Sequence, residues 1–446
     1  PEMSRGLGDV YKRQAQNPII QTKYTADPAP MVHNDTLFLY VGCDEKDAPH
    51  NAYLMREYRL YTTTDMVNWT DCGAPLRTSD FKWSAGDASA AQCIERDGKF
   101  YWYISSQNKF SPGSSIGVAV AESPYGPFKD ALGKALVTNN MTTAAKHSWD
   151  DLDPTVFIDS NKQAYLYWGN GVCYQAKLNK DMISLNGPIT ALDIKDKTAF
   201  FGKFTEAPWV YKRNNLYYMI YAAEFPESIH YSTGQTAEGP WKAEGVVMPL
   251  EKGSNTNHPG IIDYKGNSYF FYHNDALPEG HSYCRSVCVE QFTYNPDGTI
   301  PQLHMTDEGI KKGVGTLNPY KRTEAETIAW AQGVVSATDK ETGVYITSIH
   351  NTDYIKVRDV DFGSKGASQF TASASSRYHG GEIELRIDSL EGDVIGSLKI
   401  PYTGEWNNWE QHSTNVKTTK GVHDLYLIFK GRTPHELFNF DYWMFK

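Results

Sequence analysis

The sequence predicts an all-β chain in two parts, a five-bladed β-propeller followed by a C-terminal β-sandwich of jelly-roll type. Three observations predict it. Five polar-plus-aromatic cassettes recur at intervals of 52 to 66 residues over the first two-thirds of the chain. Short alternating strands punctuated by turn signals fill the last third. No long amphipathic helical pattern interrupts either part.

The cassettes are, in order, Asp27-Pro-Ala-Pro rising to LFLYVG, Asp87-Ala-Ser-Ala to FYWYISS, Asp153-Pro-Thr-Val to AYLYWGN, Glu206-Ala-Pro-Trp to LYYMIYA and His258-Pro-Gly-Ile to SYFFYHN. Each opens on an acidic residue or a histidine, turns, and climbs into an aromatic strand. Strand-only repeats of this length are propeller blades, and the same position of each blade faces the central channel. An unclosed sandwich would also be all-β, but the near-even spacing favours a ring. A second element follows the aromatic strand, as in TTTDMVNWTDCG (62–73) and STGQTAEGPWKAEG (232–245), so blades of three or four antiparallel strands are expected.

Near residues 300–322 the cassette gives way to a polar, Gly-containing connector, and from Glu324 onward runs such as DYIKVRDVDF, GEIELRID and VHDLYLIF read as sandwich strands. The expected domains are 15–320 and 321–446. Residues 1–14, PEMSRGLGDVYKRQ, lack the apolar stretch of a signal peptide and read as a non-native leader, so a native targeting segment is expected to be missing there.

Composition narrows the function. A chain of 446 residues argues for two domains. Aromatics make up 13%, with 29 Tyr and 11 Trp, which suits aromatic-rich strands and rings that stack on sugar faces. A net charge of −10 without a basic stripe argues against a nucleic-acid partner. No apolar run is long enough to span a membrane. The six cysteines (43, 72, 93, 173, 284, 288) show no metal-type spacing. Cys284 and Cys288, on one strand, stand roughly 13 Å apart, beyond a disulfide's reach of about 7 Å. Buried free thiols are expected.

A ring of five blades gathers Asp27, Asp87, Asp153, Glu206 and His258 about one axis, and buried charge in a funnel points to chemistry. Glycosidic cleavage needs one protonated and one ionised carboxyl. Asp27 and Glu206 open blades that are not adjacent in a closed ring, so they face each other with room for a sugar and a water: Glu206 as acid, Asp27 as base. Asp153, from the blade beside Glu206, is an anion that disfavours Glu206 ionisation. His258 sits low in the funnel, where it orients a carboxylate or a cation-bound water. Asp87 is the weakest member, since an Asp at a turn also bonds to backbone. Trp83, Trp149 and Phe225 are the aromatics that either line the site or pack behind it, and Trp83 is expected to bind substrate.

The order Asp-Pro-Ala-Pro, WDDLDPTVFID, FTEAPWVYK and NHPGII resembles glycoside hydrolase family 43 over roughly residues 17–310. The resemblance implies a five-bladed propeller and inverting hydrolysis, with Asp27 as general base, Asp153 as pKa modulator and orienter, and Glu206 as general acid. Arg285, in HSYCRSVCVEQF, matches an arginine that reaches the sugar, and His258 matches a central histidine beside which a second ion is a further expectation. Ser89 stands where relatives commonly carry Trp, which widens or weakens a sugar subsite.

The segment 322–446 resembles carbohydrate-binding module family 6 in Glu324-Ala325-Glu326, Val360-Asp361-Phe362-Gly363, Thr403-Gly404-Glu405-Trp406 and Leu437-Phe438-Asn439-Phe440-Asp441. That implies a structural Ca2+ held by Glu324, Glu326 and Asp441. It also implies a cleft where Trp406 stacks on a pyranose and Asn439 bonds a hydroxyl. The second aromatic of that cleft falls near Ser348, with Tyr345 or Tyr354 as substitutes.

The expectation is a monomeric, secreted or periplasmic (cell-envelope) glycosidase releasing α-L-arabinofuranosyl groups from arabinoxylan, tethered to xylan by its module, with no cofactor needed for the chemistry. A β-xylosidase or dual xylosidase/arabinofuranosidase is the alternative, and a non-catalytic sugar-binding propeller the rival from another class.

Overall fold

The computed structural model describes residues 16–49, 52–251, 253–432 and 434–446; the expected leader over 1–14 lies outside them. The aromatic run of every cassette is the second strand of a blade: Thr36–Asp44, Lys99–Asn108, Ala164–Trp168, Leu216–Ala223 and Asn267–Asn274. These strands are buried almost throughout because neighbouring blades cover both their faces, which is why they show no polar alternation. Each pairs antiparallel with an inner strand, respectively Thr25–His33, Ser84–Arg96, Thr155–Ile158, Phe204–Arg213 and Gly260–Tyr264. On its other side each pairs with a third strand, and short outer strands complete blades I to IV.

Blade V has three strands of its own. The segment 16–20 laces its outer edge: Ile19 N–H donates to Val287 O at 2.9 Å, and Asn17 Oδ1 accepts from Val289 N–H at 3.0 Å. The ring closes where Leu37, Leu39 and Tyr61 of blade I pack on Tyr269, Phe271 and Val289 of blade V. Apolar clusters likewise fill the contacts between blades II and III and between III and IV. None of the six cysteines forms a disulfide, and all but Cys72 are buried.

The C-terminal domain is a sandwich of two antiparallel sheets. One is built on Ala367–Ser375, Glu410–Thr419 and Asn439–Phe445, the other on Tyr354–Asp361, Gly381–Ile387 and Val422–Lys430. Between them lies a core that includes Phe370, Leu385, Leu427, Phe440 and Trp443.

The sequence did not announce how the domains join. Thr327–Ile328 of the second domain pairs antiparallel with Trp69 and Thr70, adding a strand to blade I. Ser336 Oγ donates to Asp71 Oδ2 at 2.8 Å, and that carboxylate also receives two hydrogen bonds from buried Arg59. Asn68 exchanges hydrogen bonds with the Arg358 backbone in both directions. These contacts make the sandwich part of the outer wall of blade I.

Gly260 marks the tightest point of closure. A Cβ there would lie 2.6 Å from Pro28 O and 2.6 Å from Pro30 Cδ of blade I. Gly260→Ala is therefore expected to lower stability by about 1–3 kcal/mol through overpacking, read as a fall in melting temperature by calorimetry.

Candidate active site

A repeated backbone device aims the acidic side chains. Asp27 (φ 55°), Asp153 (φ 58°) and Ala207 (φ 58°) all adopt left-handed backbone conformation, and each precedes a proline. Strand register breaks between Ala26 and Ala29 and again between Glu206 and Trp209. Such bulges swing a side chain away from the pleat, and the strained residue is a hallmark of functional sites. In blades I and III the acid itself occupies the strained position. In blade IV Ala207 occupies it, and Glu206 lies one residue earlier. The cassettes are thus equivalent in backbone but offset by one in the side chain that carries charge.

Asp27, Asp153, Glu206 and Arg285 meet at one cavity of about 610 Å³. Arg285 is fixed first. Its Nε and Nη2 donate to the two oxygens of Asp44 at 2.9 Å each, and its backbone N–H adds a bond to Oδ2 at 2.8 Å. The Tyr53 ring lies 4.9 Å from the guanidinium carbon. The free Nη1 then donates to Asp27 Oδ1 at 3.0 Å. Burial still pushes the Asp27 pKa up, to about 6, against the pull of Arg285, with Asp44 adding to the rise.

The Asp27 N–H donates to His273 Nδ1 at 3.2 Å, while His273 Nε2 lies 2.9 Å from Thr256 O, which assigns the Nε2–H tautomer. Burial depresses the His273 pKa well below the usual range, so the ring is neutral. His258 Nδ1 stands 4.0 Å from both Asp27 Oδ1 and Asp153 Oδ2. Burial, with Arg285 adding, pushes its pKa down to about 3, so it is a neutral spacer between two acids.

Asp153 is raised well above the carboxylate range by burial, then by Glu206 and Asp27, and it accepts the Ala207 N–H. It thereby clamps the bulge that presents Glu206. Burial is also the largest cause of the raised Glu206 pKa; the Asn170 amide, donating to Glu206 Oε2, opposes it, and Asp27 adds to it. The sequence had assigned that rise to Asp153. In the structure burial is the largest cause, although the side chain keeps some exposure on the cavity.

Two expected members stand elsewhere. Trp83 is 2% exposed and packs on Phe81 and against Gly117, behind the wall rather than on it. Asp87 opens onto a separate depression with Arg56 and Arg77 and accepts a backbone hydrogen bond from Met55. Blade II breaks register on both sides of Ala88, away from any proline, and there Ala88 and Ser89 line the cavity while Asp87 faces the other depression. Trp149 and Phe225, 53% and 69% exposed, flank the mouth, with His147 stacked on Trp149 at 4.3 Å. Sequence reasoning missed Asp44, Asn170, His273 and Glu227. None opens a cassette; the available signal was an acid at the end of an aromatic strand (Asp44) and one in the FPES turn (Glu227).

In the second domain Asn439 is 4% exposed: its Oδ1 accepts from Thr347 Oγ1 at 2.6 Å and its Nδ2 donates to Trp406 O at 3.0 Å. One of its two amide N–H groups thus holds the Trp406 loop. Trp406 packs edge-on against Tyr378 (5.6 Å), whereas Tyr345 packs on Trp409 (5.3 Å). Tyr354 is buried in the opposite sheet. Arg322 bridges Glu324 and Asp441. Glu326 Oε2 is buried without a hydrogen-bond partner, and desolvation with the nearby Glu324 and Asp441 pushes its pKa up to about 9. Among the described residues, no three His, Cys, Asp or Glu side chains gather as a metal cluster.

A closed five-bladed ring that presents carboxyl groups with raised pKa values to one solvent-open cavity is the architecture of a glycosidase. Residues 15–300 match "Glycosyl hydrolases family 43" and residues 324–446 match "Carbohydrate binding module (family 6)". The chain belongs to glycosyl hydrolases family 43. It is 32% identical over 483 residues to the "Arabinoxylan arabinofuranohydrolase" of Paenibacillus polymyxa, covering 96% of this chain and 74% of that one. A "Xylosidase/arabinosidase" of Bacteroides ovatus is 29% identical, covering 65% of this chain and 98% of its own. The crystal structure of a family 43 arabinoxylan arabinofuranohydrolase from Bacillus subtilis, in complex with cellotetraose, superposes with a TM-score of 0.84 at 30% identity, covering 97% of this chain and 98% of that one.

Arg285 lowers the Asp27 pKa against burial, so its removal has a defined sign. In Arg285→Gln the Asp27 carboxyl should hold its proton to higher pH, and the acidic limb of kcat/KM should move up by about one unit or more. A limb that stays in place would show that Arg285 does not set the charge of Asp27.

Proposed function

We propose that this glycosidase removes α-L-arabinofuranosyl groups from arabinoxylan with inversion of configuration. The observation that carries the reading is the placement of Glu206 and Asp27 on non-adjacent blades of one cavity, with separate devices that hold each in place. Glu206 gives its proton to the glycosidic oxygen as the bond from that oxygen to the anomeric carbon breaks. A water forms the new bond to that carbon from the opposite face, and its proton passes to Asp27. Arg285 keeps Asp27 ionised against burial, and Asp153 holds the Ala207 bulge so that Glu206 points at the leaving oxygen. Solvent then takes the proton from Asp27 and returns one to Glu206.

Exposed Trp149 and Phe225 on either side of the mouth suit a polymer lying across the cavity with one side group inserted. Two relatives that align along 96% of this chain at 31% and 32% identity are arabinoxylan arabinofuranohydrolases, which favours arabinoxylan. A xylosidase or dual activity is the second reading, favoured by the Bacteroides relative and by Ser89, which leaves a wall of the cavity small. A polymeric substrate places the enzyme outside the cytoplasm. In the module, Trp406 and the exposed Tyr378 packed edge-on against it form the aromatic face offered to xylan. The unpaired buried oxygen of Glu326 beside Glu324 and Asp441 suits a calcium ion, which those three carboxylates would hold.

Purified protein incubated with 4-nitrophenyl arabinofuranoside, the corresponding xylopyranoside and wheat arabinoxylan should release arabinose from the first and third. Xylose as the main product would establish the second reading. Glu206→Gln and Asp27→Asn should each lower turnover of arabinoxylan by on the order of a thousandfold while the circular dichroism spectrum is retained. For the module, added calcium should raise the melting temperature of the protein and EDTA should reverse the rise; in Glu326→Gln, calcium should have no effect.

A further inference from the structure

Glu227 is a fourth carboxyl on the cavity wall, and the acid–base pair with its clamp does not account for it. It is 1% exposed, at the turn that leads into the third strand of blade IV, Ser228–Gly234. Its backbone N–H donates to Asn255 O at 3.0 Å, and its Oε2 accepts the Asn257 N–H at 2.7 Å, so blade V pins it in place. Oε1 is buried and has no other protein partner, while the carboxyl lies within hydrogen-bonding reach of that of Glu206. Among the described residues no cation pairs with it: Arg285 is committed to Asp44 and Asp27, and His258 and His273 are neutral. The charged groups that face it are Glu206, Asp153 and Asp27. Two buried carboxylates in contact without a cation cannot both be ionised.

We propose that Glu227 is a positioning residue that stays a neutral carboxylic acid through the reaction, donating its O–H to the Glu206 carboxylate as that group loses its proton to the leaving oxygen. The proton of Glu227 is not transferred. Its hydrogen bond is weak while Glu206 is protonated and strong once Glu206 is an anion, so it favours the charge that develops in the transition state. Desolvation first, then Glu206, raises the Glu227 pKa well above the carboxylate range, in keeping with a group that holds its proton at neutral pH.

The inference rests on Glu206 acting as the acid, and leaving-group dependence tests the two separately. Arabinoxylan needs its leaving oxygen protonated; 4-nitrophenoxide leaves without that help. Glu227→Ala should lower kcat on arabinoxylan on the order of tenfold to a hundredfold, with little change in KM and a much smaller loss on 4-nitrophenyl arabinofuranoside. Its alkaline limb should move to higher pH, because Glu206 has lost a donor to its ionised form. Glu227→Gln, whose amide still donates while its oxygen still accepts from Asn257, should recover at least about tenfold of the arabinoxylan rate lost in Glu227→Ala.

Equal losses on both substrates in Glu227→Ala, or an alkaline limb displaced to lower pH in Glu227→Gln, would overturn the proposal; the second result would mean that Glu227 is ionised in the parent. Glu206→Gln on the same two substrates is the control. If it does not spare the nitrophenyl glycoside, the acid assignment itself fails. If it does and Glu227→Ala does not, only the role of Glu227 fails.

Discussion

One buried guanidinium governs the chemistry of this cavity. Asp27, Asp44, Asp153, Glu206 and Glu227 all carry carboxyl groups at or just behind its wall, and Arg285 is the buried cation set among them. Asp44 takes two of its nitrogens and leaves one for Asp27. That division decides the protonation pattern. Asp27 and Asp44 contact the cation; Asp153, Glu206 and Glu227 do not, and burial pushes all three toward their neutral forms, against the weaker pull of Arg285 on Asp153 and Glu206. Removing one partner of such a buried pair typically costs about 3–5 kcal/mol because the other is left uncompensated. Asp44 touches nothing that reacts, yet the base is held through it.

The ring supplies what a charge cluster of this kind requires. The inner strands of blades I and IV are bulged next to a proline, and Asp153 takes the same left-handed conformation before Pro154, so acids from separate blades turn toward one cavity. The aromatic second strands make rigid walls, and the segment 16–20 laced onto blade V resists opening of the ring between its first and last blades. A proton donor and a base brought from blades that do not touch need such stiffness, since an error of an ångström in their separation is an error in the reaction geometry.

The sandwich is more than an appended module. By adding the strand Thr327–Ile328 to blade I it covers the edge of the sheet whose inner strand bears Asp27 and whose second strand ends at Asp44. An uncovered sheet edge is a site for unwanted pairing, and here the partner is built into the same chain. The buried Arg59–Asp71 pair, continued by Ser336, makes that junction polar and specific in register.

Period and composition were enough for the fold class, the five blades and the convergence of Asp27, Asp153 and Glu206 on one cavity, because propeller repeats write their geometry locally: a turn acid, a proline and an aromatic run recur wherever an inner strand meets its neighbour. Arg285 was reachable only through family resemblance. The partners of these residues were not legible, because Asp44, Asn170 and Glu227 lie outside the repeated positions and reach the site only when blades far apart in the chain close on one another. The same limit explains Asp87 and Trp83, which lie close in sequence to the wall residues Ala88 and Ser89 but face elsewhere in the fold, and Asn439, whose amide bonds the backbone of the Trp406 loop. The sequence determined which groups are available; the tertiary structure decided which are charged, because protonation depends on burial and on the single arginine they share.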